Sequence, residues 1–283
     1  MNFLSEQAIF EFIDSALAED VGTGDHSTLA SVPPDAINKA QLLVKDEGVL
    51  AGIALAEMIF SRVDPDLKME VLIPDGIRVK PKDVAFKVHG RARSILTGER
   101  LVLNCMQRMS GIATLTTTFN ELIRDTGCKL LDTRKTTPNF RLPEKWAVSI
   151  GGGVNHRFGL YDMIILKDNH IDFAGGIKQA IESTRNYLEK HSLSLKIEVE
   201  TRSLKEVEEV LNTGGIDRIM LDNMSPELMK EAVELIARKY ETEASGGINE
   251  STIRSYALTG VDYISCGALT HSFKSLDLSL KAF

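Results

Sequence analysis

The 283-residue chain has three cysteines, one tryptophan and six histidines. Cys105, Cys128 and Cys266 are too few and too scattered for a disulfide framework or a zinc knuckle, so a reducing cytoplasm is the expected setting. The histidines and cysteines show no metal-ligand spacing. No apolar run reaches the ~18 residues that a membrane span needs. The N-terminus, MNFLSEQAIFEFIDSALAED, is amphipathic and acidic and lacks the basic start and apolar block of a signal peptide. Fixed-period repeats and low-complexity segments are absent. So are a Walker A motif and a G-x-G-x-x-G fingerprint after a strand. Excess positive charge is missing too. A net charge of −7 argues against a general nucleic-acid or anionic-membrane binder.

What is present is ordinary globular composition, 43% hydrophobic and 26% charged, enough for one large domain or two ordinary ones. The charge is uneven. Residues 129–170 hold seven Lys/Arg against four Asp/Glu, while the rest of the chain holds 26 against 36. A basic island on an acidic protein fits a small anionic ligand, or simply a solvated basic face.

Two rhythms divide the chain. Apolar spacing at Ile9, Phe10, Phe12, Ile13 and Leu17 predicts a helix over 5–19. Short β-like runs follow, AQLLVK, KMEVLI and VAFKVHG, interrupted by a helix near Ile53–Arg62. This mixture predicts an α+β domain over 1–110. A long helical stretch, Glu99–Asp125, bridges to the second part. From Lys129, six apolar runs alternate with helical patterns and end at Asp132, Lys167, Glu200, Asp222, Ser245 and Gly267. Ser203 and Ser225 suit N-caps, with Pro226 in the first helical turn. Strand–helix alternation predicts a parallel sheet. Six units, where a full (β/α)₈ barrel needs eight, predict an incomplete α/β barrel of six to seven strands over 111–270. Polar strand ends would meet at its mouth, unless they merely begin loops.

The densest chemistry lies in 132–171. Arg134 offers a planar fork for carboxylate or phosphate and Lys135 a compact charge. Gly151–Gly153 precede His156 and Arg157, and Lys167 ends a strand, so the set reads as an anion cradle. Lys167 also admits a Schiff-base role, as in an aldolase, or a salt bridge to Glu200. Glu200 and Asp222 end neighbouring strands. Two carboxylates there could hold Mg2+, act as acid and base, or balance the basic cluster. Ser245, Gly246, Gly247 and Gly267 present backbone amides before expected helices, a pattern favouring phosphate, and His271 could add a donor. The residues alone reach a barrel enzyme for a phosphorylated, multiply anionic substrate. They do not name the reaction.

In order along the chain, EDVGTGDHST, GERLVLNCMQRMSGIAT, DTRKTTP, GGGVNHRFGLYD, ILKDNHI, IEVE, IMLDNM, EASGGI and VDYISCGALTHS closely resemble the quinolinate phosphoribosyltransferase family. The match runs from Glu19 to Ser272, nearly the whole chain. The resemblance implies an N-terminal α+β sandwich domain, an incomplete α/β barrel, and a C-terminal helix over 271–283 that packs back on the first domain. It implies conversion of quinolinate and phosphoribosyl pyrophosphate to nicotinate mononucleotide, pyrophosphate and CO2. It also implies a homodimer or larger homo-oligomer. Arg134, His156, Arg157 and Lys167 would then hold quinolinate, with Arg100 reaching in from a neighbouring subunit. Lys135 would meet pyrophosphate or phosphoribosyl oxygens. Glu200 and Asp222 would orient ribose hydroxyls and Mg2+, with Asn223 beside them. Ser245, Gly246, Gly247, Gly267 and His271 would bind the 5′-phosphate. One departure is Asn139, where the family commonly has glycine; it should alter a turn and spare the chemistry.

Other readings stay open at this level. A molybdate-transporter-associated relative should lack the NHR and KDNH elements, and this chain has both, at 155–157 and 167–170. A nicotinate phosphoribosyltransferase acts on a monocarboxylate. An aldolase would form a borohydride-trappable adduct at Lys167. A scaffold would not need the Glu200/Asp222 pair.

Overall fold

The computed structural model describes residues 4–283. In chain order the elements are α1 (Glu6–Val21), α2 (His26–Ser31), β1 (Ile37–Val44), β2 (Gly48–Val49), α3 (Ile53–Val63), β3 (Lys68–Val71), β4 (Arg78–Val79), β5 (Val84–Arg91) and α4 (Ala92–Ile123). Next come β6 (Lys129–Leu131), α5 (Arg141–Ile150), β7 (Ile164–Leu166), α6 (Asp168–Ala174), α7 (Ile177–His191), β8 (Ile197–Thr201) and α8 (Leu204–Thr213). The chain closes with β9 (Arg218–Asp222), α9 (Pro226–Ile236), β10 (Glu241–Ser245), α10 (Ile253–Ala257), β11 (Tyr263–Ser265), α11 (Ala268–His271) and β12 (Leu278–Ala282). The elements form two compact units.

Of the described residues, the first unit gathers 4–117, 135–152 and 269–283. Its main sheet has the order β12-β1-β5-β3 and its pairs are antiparallel. Alternation in β1 buries Ala40, Leu42 and Val44 on one face. Phe86 of β5 meets Phe60 of α3 edge-on, centroids 6.1 Å apart, and both rings are buried. Helix α1 starts where Ser5 Oγ accepts from Ala8 N–H. Helix α4 starts seven residues before the expected Glu99, because β5 runs into it without an intervening loop.

The chain terminus departs from the sequence reading. Residues 278–282 form a strand rather than part of a helix, and Leu42 of β1 pairs with Leu280. Leu278 and Leu280 are buried while Ser279 between them is not, which is strand periodicity. Asn139 holds φ 62°, the left-handed region that glycine and asparagine tolerate best. The residue present can therefore make its turn with little strain.

The second unit comprises residues 118–134 and 153–268. Its six-stranded sheet is parallel, in the order β6-β11-β10-β9-β8-β7. Each strand matches one of the six apolar runs. Strand β8 extends one residue past Glu200, and β11 stops at Ser265, two before Gly267. Ser203 and Ser225 cap α8 and α9 as expected, accepting from Glu206 and Leu228 N–H. Strands β6 and β7 are the sheet's two ends, with only a single bridge from β6, Leu131 to Val154, beyond the ladder. An incomplete barrel results. Among the described residues, no helix is long and apolar enough to cross a membrane.

Candidate active site

The strand ends of the second unit carry most of the expected site. Asp132 follows β6 directly and is fully buried. Its carboxylate accepts from Asn155 Nδ2 at 2.6 Å and from His156 N–H at 2.8 Å. Asp132 thus ties the segment 154–157 to the end of β6. Arg157 Nη1 donates to Met163 O at 3.0 Å, while its Nε is buried without a hydrogen-bond partner. Burial first, and the charge of neighbouring Arg134 second, push the Arg157 pKa down. The charges of Glu198 and Asp162 oppose that shift.

Lys167 Nζ lies 3.9 Å from Glu200 Oε2, and Lys167 remains half exposed. Glu200 is 8% exposed and its Oε1 accepts from Asp168 N–H at 3.3 Å. Burial raises its pKa, and the nearby Asp222 charge adds to the rise. Asp222 closes β9, and its Oδ2 accepts from Asn223 Nδ2 at 2.5 Å. Asn223 N–H donates to Ser245 O, joining the ends of β9 and β10. Gly246 and Gly247 follow with φ 99° and 61°, and beside Gly247 the space is open. The helix expected after Gly247 begins only at Ile253, after turns. Gly267 stands two residues beyond β11 and directly before α11.

Arg100, Lys135 and His271 belong to the first unit. Arg100 is exposed on α4. Lys135 is exposed, and its carbonyl accepts from Thr270 Oγ1 at 2.8 Å, which links its segment to α11. His271 Nδ1 is 2.6 Å from Ser272 Oγ.

His156 sits deep beside two buried carboxyls. Its side chain is 5% exposed, and Nε2 lies 3.0 Å from Glu198 Oε2 and 3.2 Å from Glu243 Oε2. Nδ1 accepts from Arg157 N–H at 2.7 Å. Both ring nitrogens thus lie within reach of protein atoms. The sequence reading also passed over Glu198, Arg218 and Glu243, all buried. A signal existed: charges at alternate positions of IEVE, and at the start of RIMLD, occupy strands that are otherwise apolar.

Family comparisons bear on this arrangement. Residues 25–110 match the quinolinate phosphoribosyl transferase N-terminal domain, and residues 112–281 match the C-terminal domain. The chain belongs to the quinolinate phosphoribosyltransferase family. Among similar family members, quinolinate phosphoribosyltransferase [decarboxylating] 1b of Nicotiana tabacum is 50% identical, over 95% of this chain and 81% of its own. The probable nicotinate-nucleotide pyrophosphorylase [carboxylating] of Bacillus subtilis (strain 168) is 42% identical, over 93% of this chain and 89% of its own. The crystal structure of NadC from Streptococcus pyogenes superposes with a TM-score of 0.91 at 42% identity, covering 99% of each chain.

Proposed function

We propose that this family member transfers the phosphoribosyl group of phosphoribosyl pyrophosphate to quinolinate and releases CO2 and pyrophosphate, giving nicotinate mononucleotide for NAD synthesis. The observation that carries the acceptor is Arg157, whose Nε is buried without a hydrogen-bond partner and whose pKa is pushed down first by burial and then by repulsion from Arg134. A dicarboxylate relieves that repulsion better than a monocarboxylate. Kinship with a relative named as a decarboxylating quinolinate phosphoribosyltransferase supports the same reading.

Arg134, His156, Arg157 and Lys167 hold the acceptor, and Arg100 of a second copy completes the grip in a homodimer or higher homo-oligomer. Asn223, Ser245, Gly246, Gly247, Gly267 and His271 take the 5′-phosphate. Glu200 and Asp222 face the ribose. Two hard carboxylates at adjacent strand ends, one with its pKa raised beside the other's charge, fit a Mg2+ ion shared with substrate oxygens. When bound, such an ion neutralises the charge that builds on departing pyrophosphate. Lys135 adds its ammonium charge to the same oxygens. As pyrophosphate leaves, positive charge grows at the anomeric carbon, and the Glu200 and Asp222 carboxylates stabilise it. The acceptor nitrogen, held in line by the arginines, then forms the new bond. Its ring becomes cationic, the adjacent carboxylate departs as CO2, and the electron pair left on that ring carbon, stabilised by the neighbouring cationic nitrogen, takes up a proton from solvent. Lys167, half exposed and ion-paired to Glu200, suits anion contact better than a desolvated Schiff-base amine. A cytoplasmic setting is supported by three cysteines that form no disulfide.

The test is a product assay with purified protein, phosphoribosyl pyrophosphate, Mg2+ and either quinolinate or nicotinate. Mononucleotide with one CO2 per turnover, from quinolinate alone, is expected. Product from nicotinate alone would overturn the assignment. Undiminished rate after chelation of Mg2+ would remove the metal from it.

A further inference from the structure

The segment 135–140, which carries Lys135, is neither helix nor strand, yet side chains from three helices tie it down. Lys135 O accepts from Thr270 Oγ1 of α11 at 2.8 Å. Thr136 Oγ1 accepts from Arg141 Nε of α5 at 2.9 Å. Thr137 is gripped twice. Its N–H donates to Glu144 Oε2 of α5 at 3.0 Å, and its hydroxyl oxygen accepts from Arg108 Nη2 of α4. Thr137 O in turn accepts from Phe140 N–H at 3.1 Å, closing the turn that leads into α5.

Glu144 and Arg108 stand at the centre of this arrangement. Arg108 Nε and Nη2 both donate to Glu144 Oε1, at 2.9 and 2.7 Å. Glu144 is fully buried in the first turn of α5, while the Arg108 side chain is one-third exposed. The Phe140 and Phe273 rings lie against the guanidinium, with centroids 5.4 and 4.8 Å from its carbon. Phe140 also packs edge-on against Phe12 of α1, centroids 5.5 Å apart. A buried ion pair adds little stability over well-packed apolar side chains, although removing one partner is costly. What this pair supplies is geometry. The rigid guanidinium fork holds a carboxylate and a hydroxyl together, and the second carboxylate oxygen is aimed at a single backbone amide.

We propose that Arg108 and Glu144 are positioning residues that fix Thr137, and through it the backbone that presents the Lys135 ammonium to the pyrophosphate oxygens. The inference rests on the role given to Lys135 above. Lys135 itself is exposed, so packing around its own side chain does not set its place. The fastening of its backbone does. A displacement of about 1 Å in such a group has large kinetic consequences, which is why a rigid clamp two residues away matters to the reaction.

The test is a double-mutant cycle on Arg108→Met and Lys135→Met. It is read in steady-state kinetics for both substrates and in calorimetric titration with inorganic pyrophosphate. Arg108→Met alone should lower kcat/KM for phosphoribosyl pyrophosphate and weaken pyrophosphate binding about tenfold, with quinolinate KM within about twofold of wild type. In the Lys135→Met background the same substitution should change either quantity by less than about twofold, because the group it positions is gone. Equal losses in both backgrounds, or a matching rise in quinolinate KM, would reduce the pair to a structural role and overturn the proposal. Should Arg108→Met fail to fold, Thr137→Val and Thr137→Ser decide, since both leave the ion pair in place. Thr137→Val, which lacks the hydroxyl, should show the same selective loss, and Thr137→Ser should restore wild-type values. No effect of Thr137→Val, or no recovery with Thr137→Ser, overturns the proposal. Full activity and unchanged pyrophosphate affinity in Lys135→Met would defeat the role given to Lys135 and the positioning with it. A wild type inactive on quinolinate would defeat the proposed function, whereas the pyrophosphate titrations test the clamp separately.

Discussion

Gly246 fits against Asn223 with no room for a side chain. A β-carbon at Gly246 would lie 2.6 Å from Asn223 Cγ and 2.8 Å from its backbone nitrogen, and φ is 99°. Both residues belong to the surface assigned to the phosphate. Gly246→Ala must therefore displace Asn223 or change its own backbone, at a cost of roughly 1–3 kcal/mol. The expected result is a rise of about tenfold in KM for phosphoribosyl pyrophosphate, with quinolinate KM close to wild type. Initial-rate kinetics check it, and an unchanged value would detach this loop from the phosphate.

The Arg134–Arg157 repulsion predicts how ligands stabilise the fold. Quinolinate at about 100 times its dissociation constant should raise stability by ~2.7 kcal/mol. Nicotinate at the same concentration should raise it less. Thermal melts with each acid measure this, and equal shifts would show that the second carboxylate is not recognised.

Burial pushes the thiols of Cys105 and Cys128 up to about 12. Thiolate is the reactive species, so both should be silent to Ellman's reagent in the native protein. Full reaction is expected only after denaturation. Rapid labelling of either cysteine without denaturant would contradict the packing described for it.

Arg254 and Asp125 form a two-pronged ion pair, Nη1 to Oδ1 at 2.8 Å and Nη2 to Oδ2 at 2.9 Å. Arg254 holds the Asp125 carboxyl at about 2, below its ordinary 3.8. A depressed folded pKa means that the stabilisation is complete above the unfolded value and lost as pH falls through the folded one. The melting-temperature gap between wild type and Asp125→Asn should hold near neutrality and shrink as pH falls from 3.8 toward 2. A gap that persisted in full at the acid end would assign the effect to something other than this charge.

The parallel strands were legible because each is a short apolar run closed by a polar residue or glycine, as buried strands must be. The caps Ser203 and Ser225 were legible for an equally local reason. Strand β12 was not, although Leu278 and Leu280 alternate with Ser279, because the family resemblance led to a helix. The early start of α4 left no mark, since Arg91 and Ala92 offer neither a cap nor a break. For the site, the chain showed which residue types lie at strand ends and left their distances open. Arg134 and Arg157 are 23 positions apart in the sequence, and only folding sets their charges against each other. His156 read as a ligand for anions because its sequence neighbours are basic. The carboxyls beside its ring, Glu198 and Glu243, come from strands more than 40 positions further along and only folding brings them there.

The interruption between β6 and β7 has a practical consequence. No strand pairs across it, and the segment anchored to the end of β6 by Asp132 is the same one that carries Arg157. Closure of the barrel wall and the grip on the acceptor proposed for Arg157 therefore share one fastening. Slackening at this seam should appear as lost acceptor affinity well before the molecule melts, so an ageing or heat-treated preparation would lose activity while still looking folded.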